Sequence, residues 1–140
     1  MQISATVTNQ AGEHRAVVRT GDKEQVLAVP AKQDGSGSGI NGGELLFLAL
    51  ATCYCNDLYR EAKERAIEVV SIQVEVTGRF STKGAAAEDI RYRASVRSRS
   101  NKEEVLELMR HTDTVAEVHN TLRRGPAVTL SEYIVEECNT

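Results

Sequence analysis

The chain has 140 residues, a formal net charge of −3 and three cysteines. That length suits a single domain, 1–140, whose core needs no disulfide or metal staple. With 41% hydrophobic and 26% charged residues, the composition excludes an acidic disordered tail, a collagen-like repeat and a disulfide-dense mini-protein. The slight acidity argues against a dedicated nucleic-acid binder, which carries an excess of Lys and Arg. An odd number of cysteines cannot close entirely into intrachain disulfides.

The opening MQISATVTNQ has neither a basic segment nor an apolar one, so no targeting segment is expected. The longest apolar stretch, Leu45 to Cys55, falls far short of the ~20 residues that span a bilayer. The expectation is a cytoplasmic protein without membrane association, in a compartment where thiols stay reduced.

In chain order, Ile3, Ala5 and Val7 alternate with Ser4, Thr6 and Thr8, the period of a half-buried strand. Asn9 to Gly12 supply a turn, Arg15 to Thr20 a second strand, and Thr20 to Lys23 another turn. Gln25 to Val29 read as a third strand stopped by Pro30, completing an antiparallel meander. Asp34 to Gly43, DGSGSGINGG, reads as a loop, either a plain connector or one whose glycines admit a ligand. It has neither a P-loop ending nor GxGxxG in a strand–helix setting, so nucleotide binding is not expected.

Glu44 to about Arg65 predicts one long helix. Its first half is apolar almost all round, from Leu45 to Ala51. Its second half is amphipathic, with Leu58, Tyr59, Ala62 and Ala66 on the apolar side. A helix apolar on every face belongs in a core or an interface, and a chain this small struggles to surround one. An oligomer that completes the core with a partner copy follows.

Val70, Ile72, Val74 and Val76 form one face of the next strand, and Ile90, Tyr92, Ala94 and Val96 the inner face of its successor, with a loop at Ser81 to Asp89. Ser100 and Glu103 read as a capping box that starts a helix with Val105, Leu108 and Met109 as its apolar stripe. Val115, Val118 and Leu122 either extend this helix or form a second short segment. Gly125-Pro126 ends it, and Ala127 to Val135 is predicted as a final strand. The fold class is α+β.

Cys53 and Cys55 lie two residues apart on the long helix, about 200° around its axis, so they face different ways. The spacing is C-x-C with no following ligand at zinc-like distance, so no metal or other cofactor is expected. A buried thiol packs as a small hydrophobe. A reactive one needs a cation, a helix N-terminus or a base, and Arg15, Arg19, Arg123 and Arg124 are the candidate cations. Arg91, Arg93, Arg97 and Arg99 share one strand face, where pairing with Glu75 and nearby acids explains them better than nucleic acid does. His14, His111 and His119 show no ligand spacing. For His119 a surface residue is the first reading and a ligand contact the alternative.

The block GINGGELLFLALATCYCNDLYREAKERAIEVVSIQVEV resembles the centre of the OsmC and organic hydroperoxide resistance (Ohr) family: a Gly-rich loop, E-L-L, a cysteine, then A-x-x-x-x-I into alternating valines. HNTLRRGPAVTL resembles the family's T-L-x-x-G turn into its last strand. The resemblance implies an OsmC-like fold, with antiparallel sheets wrapped around long central helices in an intertwined homodimer. It also implies a thiol-dependent peroxidase acting on organic hydroperoxides or hydrogen peroxide, reset by a thiol reductant.

By the same resemblance Cys53 is the peroxidatic cysteine. The family's glutamate aligns with Gly43, one residue before Glu44, and its arginine falls near His14 or Arg15. The second cysteine of the family's C-P-x-S motif falls near Ala116, where this chain has neither cysteine nor proline. Cys138, folding back from the tail, or Cys55, pairing across the dimer axis, are the substitute resolving thiols. The alternative is a non-catalytic relative that binds a small apolar ligand at the dimer interface.

Overall fold

A computed structural model describes residues 1–138. The backbone divides into two compact units, Met1–Leu48 and the chain from Ala49 onward. The first is a meander of three antiparallel strands in the order β1 (Ile3–Gln10), β2 (Glu13–Thr20), β3 (Lys23–Leu27). Ala11 and Gly12 both take positive φ in the two-residue turn between β1 and β2. Mirror-image hairpin turns require this because their twist matches that of the strands. β1 alternates as expected, but Ile3 and Val7 stay more than half exposed.

The segment from Val29 to Asn41 is a loop; the expected loop spans Asp34 to Gly43, but Gly42 and Gly43 open the helix and Val29 lies past the end of β3. It closes on itself through an Ala31–Ser38 bridge and an Asp34 side chain that accepts from the Ser36 N–H at 2.9 Å.

Helix α1 runs from Gly42 to Glu64, and the division between the units falls within it. Asn41 and Glu44 form a reciprocal capping box: Glu44 N–H donates to Asn41 Oδ1 at 2.8 Å and Asn41 N–H to Glu44 Oε1 at 3.0 Å. The helix ends in Ala66 at φ +55, the left-handed cap position usually held by glycine.

In the second unit, β4 (Val69–Arg79) and β5 (Glu88–Ser98) form an antiparallel hairpin. Helices α2 (Lys102–Val115) and α3 (Glu117–Arg124) follow. Tyr54, Leu58 and Ala62 repeat every four residues along α1 and so share a face. That face packs with Leu108 of α2 against Ile72, Val74, Tyr92, Ala94 and Val96 of the hairpin. Tyr59 and Ala66, expected beside them, are exposed: Tyr59 lies one position, about 100°, from the core line, and Ala66 lies past the helix end.

Three expectations are corrected. A register shift between Val69 and Ser71 turns Val69, not Val70, toward the core, because a bulge inserts one residue and flips the alternation before it. Asn101, not Ser100, caps α2, accepting from Glu103 N–H at 2.8 Å. The Ser100 hydroxyl instead accepts from Glu68 N–H at 3.1 Å, tying the end of β5 to the start of β4. Finally, Ala127 to Val135 is not a strand: no edge among the described residues pairs with it, and Val128, Leu130, Tyr133, Ile134 and Val135 are exposed. A strand exists only where a neighbour takes its N–H and C=O groups.

The arginine face of β5 matches the sequence reading only at Arg93, since Arg97 lies opposite Ser71 and Arg91 opposite Thr77. Arg93 lies opposite Glu75 and pairs with it at 3.5 Å, both side chains in solvent.

Candidate functional site

Cys53 is half-buried on α1, and three groups meet its sulfur. The thiol donates to Asp57 Oδ2, one helical turn on, at 3.5 Å. The backbone of Val118 and Glu117, at the start of α3, lies near the same atom and favours its charged form. Ala116 provides no side-chain cap for α3, so the first N–H groups of that helix have no oxygen partner from a capping residue. The arrangement comes from packing, because residues 53 and 117 are distant in sequence.

Burial raises the Cys53 thiol above its usual value, and Asp57 adds to the rise through its charge and its hydrogen bond. The backbone of Val118 and Glu117 pulls the other way without cancelling it. Asp57 is itself buried and paired with Arg60 at 3.0 Å. Arg60 also holds Glu61 at 3.1 Å, and Glu61 takes His111 Nε2 at 2.7 Å. Those bonds, Arg60's first, keep the Glu61 carboxyl below its ordinary range. The cation nearest in this chain of contacts therefore acts on Asp57 and Glu61, not on the sulfur.

Alkylation of Cys53 by iodoacetamide should accordingly rise with pH along a curve displaced above that of an ordinary thiol (~8.5), since less thiolate is present at any given pH. Asp57→Asn removes a carboxylate that opposes ionisation, so the curve should move to lower pH. An unmoved curve would show that the Asp57 contact does not govern the thiol.

The other expected site residues lie as follows. Arg15 is exposed on β2, opposite Thr8 of β1, and lines a groove on the meander with Ser4, Thr6 and Arg19. Arg19 is bonded to Glu24. The Glu44 carboxylate accepts from Asn41 N–H in the capping box. Cys55 is half-buried on α1 and Cys138 is exposed in the C-terminal segment. Arg123 is held by Asp113 at 2.8 Å and by Asn120 Oδ1 at 3.0 Å. Among the described residues, no group of three or more His, Cys, Asp or Glu could hold a metal ion. No helix among them is long and apolar enough to cross a membrane.

His119 overturns its surface reading. It is only 4% exposed, and its ring lies edge-on to Tyr92 with centroids 4.7 Å apart. Asp57 was also missed as the partner of Cys53. Its i+4 spacing was visible, but the same spacing is common on any solvated helix face.

A family model described as OsmC-like protein matches residues 35–131. A search of curated protein sequences gives no match. Among solved structures, an OsmC-like protein from Mycoplasma pneumoniae is similar at TM-score 0.66 and 20% identity, over 88% of each chain. An organic hydroperoxide resistance protein from Elizabethkingia anophelis is similar at TM-score 0.57 and 19% identity, over 89% of this chain and 90% of that one. The organic hydroperoxide resistance protein OhrB of Bacillus subtilis is similar at TM-score 0.51 and 20% identity, over 87% and 92%. At these identities the structural likeness establishes the fold alone.

Proposed function

Because the chain belongs to the OsmC-like protein family, we propose that it is a thiol-dependent peroxidase that reduces organic hydroperoxides or hydrogen peroxide through Cys53. The observation that carries this reading is the Cys53 sulfur, half-buried, with the backbone of Glu117 and Val118 near it and its proton directed at Asp57. Backbone N–H groups held in place stabilise a charge as it develops without reorganising. At this sulfur they favour the thiolate and then the sulfenate oxygen.

In the proposed step the Cys53 sulfur attacks the distal peroxide oxygen and the O–O bond breaks. The thiol proton travels along the Asp57 hydrogen bond to the departing alkoxide. The products are an alcohol, or water, and Cys53 sulfenic acid. An external thiol then condenses with the sulfenic acid, releasing water and leaving a mixed disulfide that a second thiol reduces. External resolution accords with Ala116 standing where the resemblance puts the family's second cysteine. Arg15 and Glu44 enter only through that resemblance, as groups that orient the peroxide, and Cys55 and Cys138 as alternative resolving thiols.

The proposal extends to a cytoplasmic homodimer. Its support is the exposed apolar side chains Ile3, Val7 and Val26 of the meander, together with Val128, Leu130, Tyr133 and Ile134 of the C-terminal segment.

The test is consumption of cumene hydroperoxide and of hydrogen peroxide with several thiol donors. Cys53→Ser is expected to fall to the uncatalysed background. Equal rates for wild type and variant would overturn the reading. The second reading, a non-catalytic ligand-binding relative, is favoured by the raised thiol and by Ala116, and that same equality is what it predicts.

A further inference from the structure

Cys53, Asp57 and Glu61 recur every four residues on α1, so they stand one above the other on one face. The Asp57 and Glu61 side chains are each only 11% exposed, and a single cation, Arg60, holds both. Each carboxylate divides its oxygens between two neighbours. Asp57 offers Oδ2 to the Cys53 thiol and Oδ1 to Arg60 Nη1. Glu61 offers Oε2 to Arg60 Nε and Oε1 to His111 Nε2, which donates to it. His111 belongs to α2, and its side chain is 34% exposed. The contacts therefore run from a half-buried thiol on one helix to a solvent-reachable imidazole on another.

One guanidinium between two carboxylates neutralises neither of them fully. The thiol feels this division, because the charge of Asp57 is among the causes that raise it. From α3, Glu117 also acts on Arg60 and is a third carboxylate on the same cation. His119, on α3 as well, feels Asp57. Burial, with Arg123 adding to it, nevertheless lowers the His119 pKa against the pull of Asp113 and Asp57, so its imidazole is neutral and supplies no second cation. The Tyr92 hydroxyl of the hairpin goes to Asp113 and takes no part. The Cα atoms of Cys53 and Glu61, eight residues apart on a helix, are about 12 Å apart, beyond the ~10 Å screening length of 0.1 M salt. The path from Glu61 to the sulfur therefore leads through Arg60 and Asp57.

We propose that Glu61 and His111 are positioning residues for Cys53: Glu61 competes with Asp57 for Arg60, and His111 eases that competition by giving Glu61 a second partner. Neither residue touches the sulfur. When Arg60 is drawn toward Asp57, the carboxylate opposes the thiolate less. When Arg60 is drawn toward Glu61, Asp57 opposes it more. The device acts on the thiol whatever chemistry Cys53 performs. If the peroxidase reading holds, it sets the fraction of thiolate that meets the peroxide.

The test is the pH midpoint of Cys53 alkylation by iodoacetamide in the full chain, read by peptide mass mapping so that Cys55 and Cys138 are scored apart. Each rate is normalised to its high-pH plateau, which removes changes in access. Glu61→Gln releases Arg60 to Asp57 and should lower the midpoint by about 0.3–0.5 pH unit, about twofold to threefold more thiolate below it, the low end for a charge felt through a half-exposed cation. His111→Phe leaves Glu61 to Arg60 and should raise the midpoint. Loosened packing would lower it in both variants, because burial is the largest cause of the raised thiol. In an Arg60→Gln background, Glu61→Gln should keep less than about half of its effect, the mark of coupling through a shared partner. An unmoved or raised midpoint in Glu61→Gln, an unmoved or lowered one in His111→Phe, or an undiminished Glu61 effect without Arg60 would each overturn the proposal. Glu61→Gln preserves shape, so it decides the matter even if the other variants fail to fold. Shifts of the expected signs with no peroxide consumption would overturn only the peroxidase reading.

Discussion

Truncation of Leu58 to alanine is expected to destabilise the second unit by about 2–5 kcal/mol, the range for removing a fully buried leucine. Leu58 has no exposed surface and sits in the middle of the Tyr54–Leu58–Ala62 line, against Leu108 and both strands of the hairpin. Helix and sheet are both held in place there, so collapse around the lost atoms is limited and the upper half of the range is expected. For a unit of this size each kcal/mol moves the midpoint by about 4–8 °C, so a thermal melt followed by circular dichroism should shift by well over ~10 °C. The contrast is Glu75→Ala. The Glu75–Arg93 pair leaves those side chains 59% and 87% exposed, and such pairs contribute about 0–1 kcal/mol. A Leu58→Ala midpoint as little changed as that of Glu75→Ala would mean that the core lies elsewhere.

Ala116→Cys is expected to form a disulfide with Cys53 on mild oxidation. Ala116 is fully buried and directly precedes the two residues whose backbone lies near the Cys53 sulfur. Successive Cα atoms lie about 3.8 Å apart, so a sulfur at position 116 enters the neighbourhood of Cys53. Closing a loop of about 60 residues stabilises by about 4 kcal/mol in the chain-entropy model, and strain brings the expectation to about 2–4 kcal/mol. In a Cys55→Ser, Cys138→Ser background, peptide mapping should find a crosslink between positions 53 and 116, and the oxidised form should melt higher than the reduced one. Ala116→Ser separates the effect of added volume from that of the bond. Oxidation of Cys53 to sulfinic acid with the introduced thiol left reduced would place the two positions out of reach. It would also remove the physical basis for matching Ala116 to the family's second cysteine.

The order of elements as far as α3 was legible because its signals are local, whereas the strand expected over Ala127 to Val135 is absent because strand formation depends on a pairing edge. Alternation in β1, β4 and β5, the Leu58–Ala62 spacing, and Gly125 at φ +59 after α3 all follow from the period of one segment or the φ of one residue. The family was legible for a related reason: the E-L-L block and its cysteine are contiguous in the chain. The misses are of another kind. The bulge at Val70 depends on which residue of β5 lies opposite. Asn101 replaces Ser100 as the cap because the Ser100 hydroxyl is taken by Glu68.

The sequence by itself determined an α+β chain with a long helix, and determined that Cys53 stands on it with Asp57 one turn away. Only the tertiary structure decided what surrounds that cysteine. The backbone of Glu117 and Val118 reaches it because α3 packs beside α1, and His119 is buried beside Tyr92 for the same reason. Helix periodicity tells which residues share a face, but not which distant segment will cover it. The burial that raises a thiol or neutralises a histidine is set by that covering segment.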